Sequence, residues 1–244
     1  RRTRMWVPLS VLCLCGLTGC WPEDQRVVLP DLPVDTTRYA LQTARVNMGE
    51  NYDDRIYYSF SRGVVRTVRN DRFDLAFDNQ TVWLNEGQIM LALHTGERNF
   101  ATPVDPLAPG LPWVPDASSG APDSTFVGLW QRDFDDQGRG WVYIIDRGRV
   151  YHNNSPNRFW RFQLLRPDDG TTWRFRLAPL TAPDTGATWI LAKPTAPGER
   201  RFIRCEQPSQ PLDVAPPPTD WDVVFTRYTH VFASEPVGSP ARNY

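Results

Sequence analysis

The chain has 244 residues, with 27 basic against 28 acidic side chains, three histidines and four cysteines. A balance this close to neutral argues against a nucleic-acid partner, which calls for a basic face. The length is enough for one domain with its own core.

Arg1, Arg2 and Arg4 precede an apolar run, 6–17, that closes on Leu17-Thr18-Gly19-Cys20. A basic start, a short apolar stretch and small residues before a cut describe an export signal, too short to span a bilayer permanently. The Cys directly after Leu-Thr-Gly matches a bacterial lipobox, which predicts lipidation at Cys20 and a signal over 1–19. Its loss removes three arginines and no acid, leaving 24 basic against 28 acidic residues and a net charge of −4. Cys13 and Cys15 leave with it, so Cys205 is the one free thiol expected in the mature chain, with no intramolecular disulfide. Residues 20–33 are polar and aperiodic, as in a tether from lipid to domain.

Beyond the tether the patterning predicts an all-β, antiparallel domain over 34–204 with long loops and little helix. The run 56–61 (Ile-Tyr-Tyr-Ser-Phe-Ser) passes through Arg62-Gly63 into 64–68, a turn-flanked pair of strands. Runs 73–78 and 81–85 form a hairpin across Asn79-Gln80, and 89–94 is a further strand. The Pro-, Gly- and Ser-rich stretch 101–124 is a long loop. Strands follow over 141–145, 159–165 and 172–177, the last two joined through Pro167-Asp168-Asp169-Gly170. Five prolines make 205–220 a linker, and 221–244 carries one more strand, in a chain expected to be a shortened form. Residues 37–48 are the one candidate helix.

An aromatic-Asp-aliphatic-x-Phe pattern occurs twice, as Phe73-Asp74-Leu75-Ala76-Phe77 and Trp221-Asp222-Val223-Val224-Phe225. Apolar side chains at every second position predict one buried face with the Asp on the other. The recurring Asp is expected to accept hydrogen bonds from a neighbouring loop.

Together with the lipobox, Tyr57-Tyr58-Ser59-Phe60-Ser61-Arg62-Gly63, Asn70-Asp71-Arg72-Phe73-Asp74-Leu75-Ala76-Phe77 and Trp83-Leu84-Asn85 resemble the HmuY-like haemophore family. Stretches 141–148 and 158–162 continue the likeness, as does Trp221-Asp222-Val223-Val224-Phe225-Thr226-Arg227-Tyr228. The resemblance implies an all-β, lipid-anchored protein of the outer membrane or cell surface. It would capture haem or a related tetrapyrrole and pass it to a TonB-dependent receptor. The family's two axial histidines have no counterpart: where the second belongs, the sequence reads Trp141-Val142-Tyr143-Ile144-Ile145-Asp146-Arg147-Gly148.

Haem capture calls for axial ligands, an apolar cleft and partners for the propionates. His152, in the polar run Tyr151-His152-Asn153-Asn154, and His230, which alternates with Tyr228 and Phe232, are the candidate iron ligands. The competing readings are a surface-loop His152 and a strand-packed His230. Met90 and His94 share a face but lie ~13 Å apart along a strand, too far to flank one iron. Arg147, Arg149 and Arg158 are candidate anion partners. Asp133, Asp135 and Asp136 lack the bidentate Glu of a calcium loop and read as a solvated turn.

The sequence carries no nucleophile-elbow, zincin, dinucleotide or P-loop motif, so no enzyme is expected. Two alternatives stand beside haem capture. One is a surface lipoprotein acting as an interaction module. The other is a sugar-binding or hydrolytic accessory protein with stacking tryptophans and converging carboxylates.

Overall fold

The computed structural model describes residues 43–148, 155–182, 186–230 and 242–243. The expected signal, Cys20, the tether, Arg149 and His152 lie outside the described residues. Among the described residues fourteen strands form four antiparallel sheets, and the helical pieces are short 3-10 turns. The expectation of an all-β antiparallel fold with little helix holds.

A five-stranded sheet runs in sequence order through β5 (Leu91–His94), β6 (Arg139–Asp146), β7 (Phe159–Leu165), β8 (Thr172–Pro179) and β9 (Thr188–Ala192). Its inner face carries Tyr143, Ile145, Trp160, Phe162, Leu164, Trp173, Phe175 and Leu177, alternating along each strand. A second sheet, in the order β11-β10-β3-β4, combines β3 (Leu75–Phe77), β4 (Val82–Leu84), β10 (Arg201–Arg204) and β11 (Gln207–Leu212). Leu75, Phe77, Val82, Leu84 and Ile203 interdigitate with the five-stranded sheet in one core. The opposite face of this second sheet is apolar too: Ala76, Trp83 and Phe202 cluster there with Phe73 and Val214. A third sheet sets β12 (Val223–Phe225) and β2 (Gly63–Arg69) on either side of β1 (Asp54–Ser59). A two-residue pair, β13 (Thr229–His230) with β14 (Arg242–Asn243), completes the set.

The hairpins expected at 56–68, 73–85 and 159–177 all form. Asp169 shapes the last turn by accepting from the backbone N–H groups of Thr171 and Thr172. Three expectations change. Residues 205–220 do not merely link, since β11 within them pairs with β10. Its prolines are tolerated because β11 is an edge strand whose outer N–H groups need no partner. Of the expected helix 37–48, residues 37–42 lie outside the described residues and 43–48 are not helical. Asn47 instead accepts from Gly49 N–H and Met48 C=O receives Asp54 N–H, a turn chemistry that Asn and Gly favour. The strand expected from 89 begins at Leu91, because Ile89, at φ 58°, closes the 3-10 turn Glu86–Gln88.

The repeated motif is not two copies of one buried face. Leu75 and Phe77 enter the main core, whereas Phe73 precedes the strand and packs on Phe202 across the other face, 4.8 Å between ring centroids. In the second copy Phe225 is 37% exposed and Val224 faces inward. Asp74 is 2% exposed and meets a fully buried Arg147, which donates to both its oxygens at 3.1 and 2.7 Å and also holds Glu206. Sequence alternation alone could not place that arginine, which comes from β6's far end.

Candidate functional site

Between the second and third sheets lies a cleft of about 1080 Å³. Its walls follow from strand alternation. Tyr57 and Val224, neighbours in register on β1 and β12, face Ala76, Trp83 and Phe202 of β3, β4 and β10. Phe73 and Trp221, each at the step into its motif strand, line the cleft as well. Trp221 sits edge-on to Tyr57 at 5.2 Å. The wall is therefore mostly aromatic, with Tyr57, Phe73, Trp83 and Phe202 nearly covered by one another and by the cations above them and Trp221 partly exposed.

The charged groups of the cleft fall into two kinds. Asp78, Glu199 and Asp213 are already engaged. Asp78 takes the Trp83 indole N–H at 2.7 Å and two backbone N–H groups, Glu199 pairs with Arg201 at 3.0 Å, and Asp213 pairs with Arg66. Arg55, Arg200 and Glu86 have no ion-pair partner among the described residues. Arg55 lies 4.9 Å over the Phe73 ring and donates to Thr226 Oγ1 at 3.3 Å. Arg200, exposed as a whole residue, sets its guanidinium 4.6 Å over the Trp83 ring. Each cation rests on an aromatic face, which positions it without neutralising it.

Electrostatics tie these three together. Desolvation pushes the Glu86 carboxyl above its ordinary value, against the pull of Arg55 and Arg200. Desolvation lowers Arg200 below an ordinary guanidinium, with repulsion from Arg55 adding to it and Asp78, Tyr57 and Glu86 opposing. Arg200 stays cationic at neutral pH all the same. Glu86 opens a 3-10 turn capped by Asn85, and Thr229 Oγ1 donates to its carbonyl at 2.6 Å. Arg227 binds the next carbonyl, Gly87 C=O, at 2.6 Å, so the tail of the second motif fixes this corner of the cleft.

The residues expected to hold iron are not assembled here. His152 lies outside the described residues, and His230 is placed only as a β13 residue paired with Arg242. His94 is exposed at the end of β5, 5.2 Å from the rings of Trp141 and Tyr143, and Met90 is fully buried in the main core. Arg147 and Arg158 are consumed by Asp74 with Glu206 and by Asp146, respectively. Among the described residues no group of three or more His, Cys, Asp or Glu is arranged to hold a metal. Within the cleft the groups chemically able to ligate ferric iron are the Tyr57 hydroxyl, which has no hydrogen-bond partner among the described residues, and the carboxylates, of which Glu86 is the one without a hydrogen bond or ion pair among those residues. Asp135 confirms the turn reading of 133–136 by accepting from Gln137 and Arg139 N–H.

Sequence reasoning missed Arg55 and Arg200 because each is one arginine among many. Only the packing of two sheets gives them a common space. No known protein family, curated protein or solved structure matches the chain. Among the described residues no helix is long and apolar enough to cross a membrane.

Proposed function

We propose that the protein is a lipid-anchored binding protein of the bacterial cell envelope that takes a tetrapyrrole, haem or a relative, into the cleft between its second and third sheets. The observation that carries this reading is the cleft itself, about 1080 Å³ in volume and edged by Tyr57, Phe73, Trp83, Phe202 and Trp221, of which Trp221 is partly exposed and the other four are nearly covered in the free protein. The Leu17-Thr18-Gly19-Cys20 lipobox supports anchoring at the outer membrane or cell surface, where a TonB-dependent receptor is the fitting recipient. The motifs that resemble those of HmuY-like proteins point to the same ligand class. No catalytic role is assigned.

One observation favours a variant of this reading. The described cleft wall includes neither His nor Met, so in this variant ring contacts hold the ligand and axial histidine ligation is not required. The test is a titration of the chain from residue 21 onward with hemin and with iron-free protoporphyrin, followed by Soret absorbance and tryptophan quenching. Comparable saturable binding of both, lost together in Trp83→Ala, is expected. Binding of hemin alone, abolished in a His152→Ala, His230→Ala double variant, would overturn the stacking variant and restore axial histidines. Binding of neither would leave the interaction-module reading in its place.

A further inference from the structure

Arg55 and Arg200 face one cleft with no carboxylate at ion-pair distance among the described residues. Surface arginines in this chain commonly find an acid: Arg66 finds Asp213, Arg69 finds Asp71, Arg139 finds Asp135 and Arg174 finds Asp168. Arg55 and Arg200 are held instead by ring faces and one hydroxyl. They approach closely enough for the charge of Arg55 to act against that of Arg200. Asp78 acts on Arg200 more strongly than Arg55 does, and Glu86 lies in the field of both arginines, so a ligand's acid would compete with these carboxylates for the two cations. The planar guanidinium fork is also the side chain best matched to a carboxylate.

We propose that Arg55 and Arg200 form the acid-recognising end of the cleft, each taking a carboxylate of a planar dicarboxylic ligand whose apolar face stacks on the aromatic wall. This rests on the tetrapyrrole reading and adds to it what selects the ligand: its acidic substituents rather than its metal. The two rings beneath the cations, Phe73 and Trp83, belong to the same wall, so acid recognition and ring stacking are adjacent. Glu86 works against the clamp. Its carboxylate lies in the field of both arginines, so it competes with the ligand's acids for them. Removing its charge strengthens dicarboxylate binding.

The experiment uses the chain from residue 21 onward, iron-free protoporphyrin and its dimethyl ester, read by porphyrin fluorescence and tryptophan quenching. The ester keeps the ring and removes both charges. Protoporphyrin is expected to bind at least tenfold tighter than the ester. Arg55→Gln and Arg200→Gln each weaken the acid about tenfold or more while leaving the ester unchanged. Glu86→Gln tightens the acid several-fold. Circular dichroism and thermal melts of each variant establish that it is folded. Equal affinity for acid and ester, with no effect of either arginine variant, overturns the clamp while leaving the cleft as the ring's site. Binding of neither porphyrin overturns the tetrapyrrole reading itself.

Discussion

Asp74 and Asp222, 148 positions apart (74 to 222), each clasp the turn of a hairpin that belongs to the other half of the chain. Asp74 donates its N–H to Ile203 C=O at 2.9 Å and accepts Cys205 N–H at 2.8 Å, two residues on. Asp222 donates its N–H to Tyr58 C=O at 2.9 Å and accepts Phe60 N–H at 2.7 Å, again two residues on. The aromatic before each Asp packs edge-on against the residue before that carbonyl, Phe73 on Phe202 and Trp221 on Tyr57. Each half of the chain thus supplies a hairpin, a 3-10 turn and a motif strand, and the halves exchange motif strands: β3 joins β10 and β12 joins β1. The cleft lies between the two exchanged assemblies.

The two aspartates share a role but not an environment, so their variants differ in cost. Asp74→Ala leaves the buried Arg147 with Glu206 as its remaining carboxylate and Cys205 N–H without its acceptor, and is expected to destabilise by about 2–4 kcal/mol. Asp222→Ala removes an exposed turn bond and costs about 1 kcal/mol. Urea unfolding of both variants measures the difference, and equal losses would show that Arg147 does not depend on Asp74.

Asp116 gives the fold a pH signature. It is 1% exposed, accepts Leu84 N–H at 2.6 Å and Phe126 N–H at 2.7 Å, and burial outweighs these bonds to raise its pKa from 3.8 to about 7. Between those values the folded state keeps a proton that the unfolded chain releases. Its contribution therefore falls as pH rises through this window, by roughly 4 kcal/mol in all. Asp116→Asn is expected to remove that slope. Stability measured from pH 4.5 to 7.5 in both proteins checks it, and parallel profiles would refute it.

Gly148 is fixed by more than its backbone angle. At φ 70° a Cβ would run into the carbonyls of Gln88 and Ile89, whereas Gly110, at φ 78°, has open space around it. Gly148→Ala should cost about 2–4 kcal/mol and Gly110→Ala about 1 kcal/mol. Thermal melts that place the two variants together would show that the 148 site yields more readily than its neighbours allow.

Cys205 is 1% exposed, and burial together with the nearby Asp74 carboxylate pushes its thiol pKa up. In the chain from residue 21 onward it should resist a disulfide exchange reagent in the folded state and react stoichiometrically in denaturant. Rapid reaction of the native protein would mean that the β10–β11 turn opens readily.

Much of the strand content is written in the residues. Phe-Trp-Arg-Phe-Gln-Leu-Leu over β7 is aromatic and branched enough to be extended in any sheet, and its bounds match the expectation. β11 is not legible in this way, because Gln207-Pro208-Ser209-Gln210-Pro211-Leu212 has loop chemistry and becomes a strand only beside β10. The same limit hid the cleft: Arg55 lies on β1 and Arg200 just before β10, and no sequence spacing relates them.

By itself, then, the sequence determined the all-β class, the hairpins closed by local turn residues and the recurrence of the Asp motif, because alternation and turn chemistry act over a few neighbours. Which strands pair across the two halves, that Asp74 meets a buried arginine, and that two guanidiniums with no ion-pair partner among the described residues share an aromatic cleft all follow from the packing of the sheets. Those outcomes depend on residues many tens of positions apart, such as Asp74 and Arg147 or the cleft-lining Arg55 and Arg200, and local patterning carries no record of them.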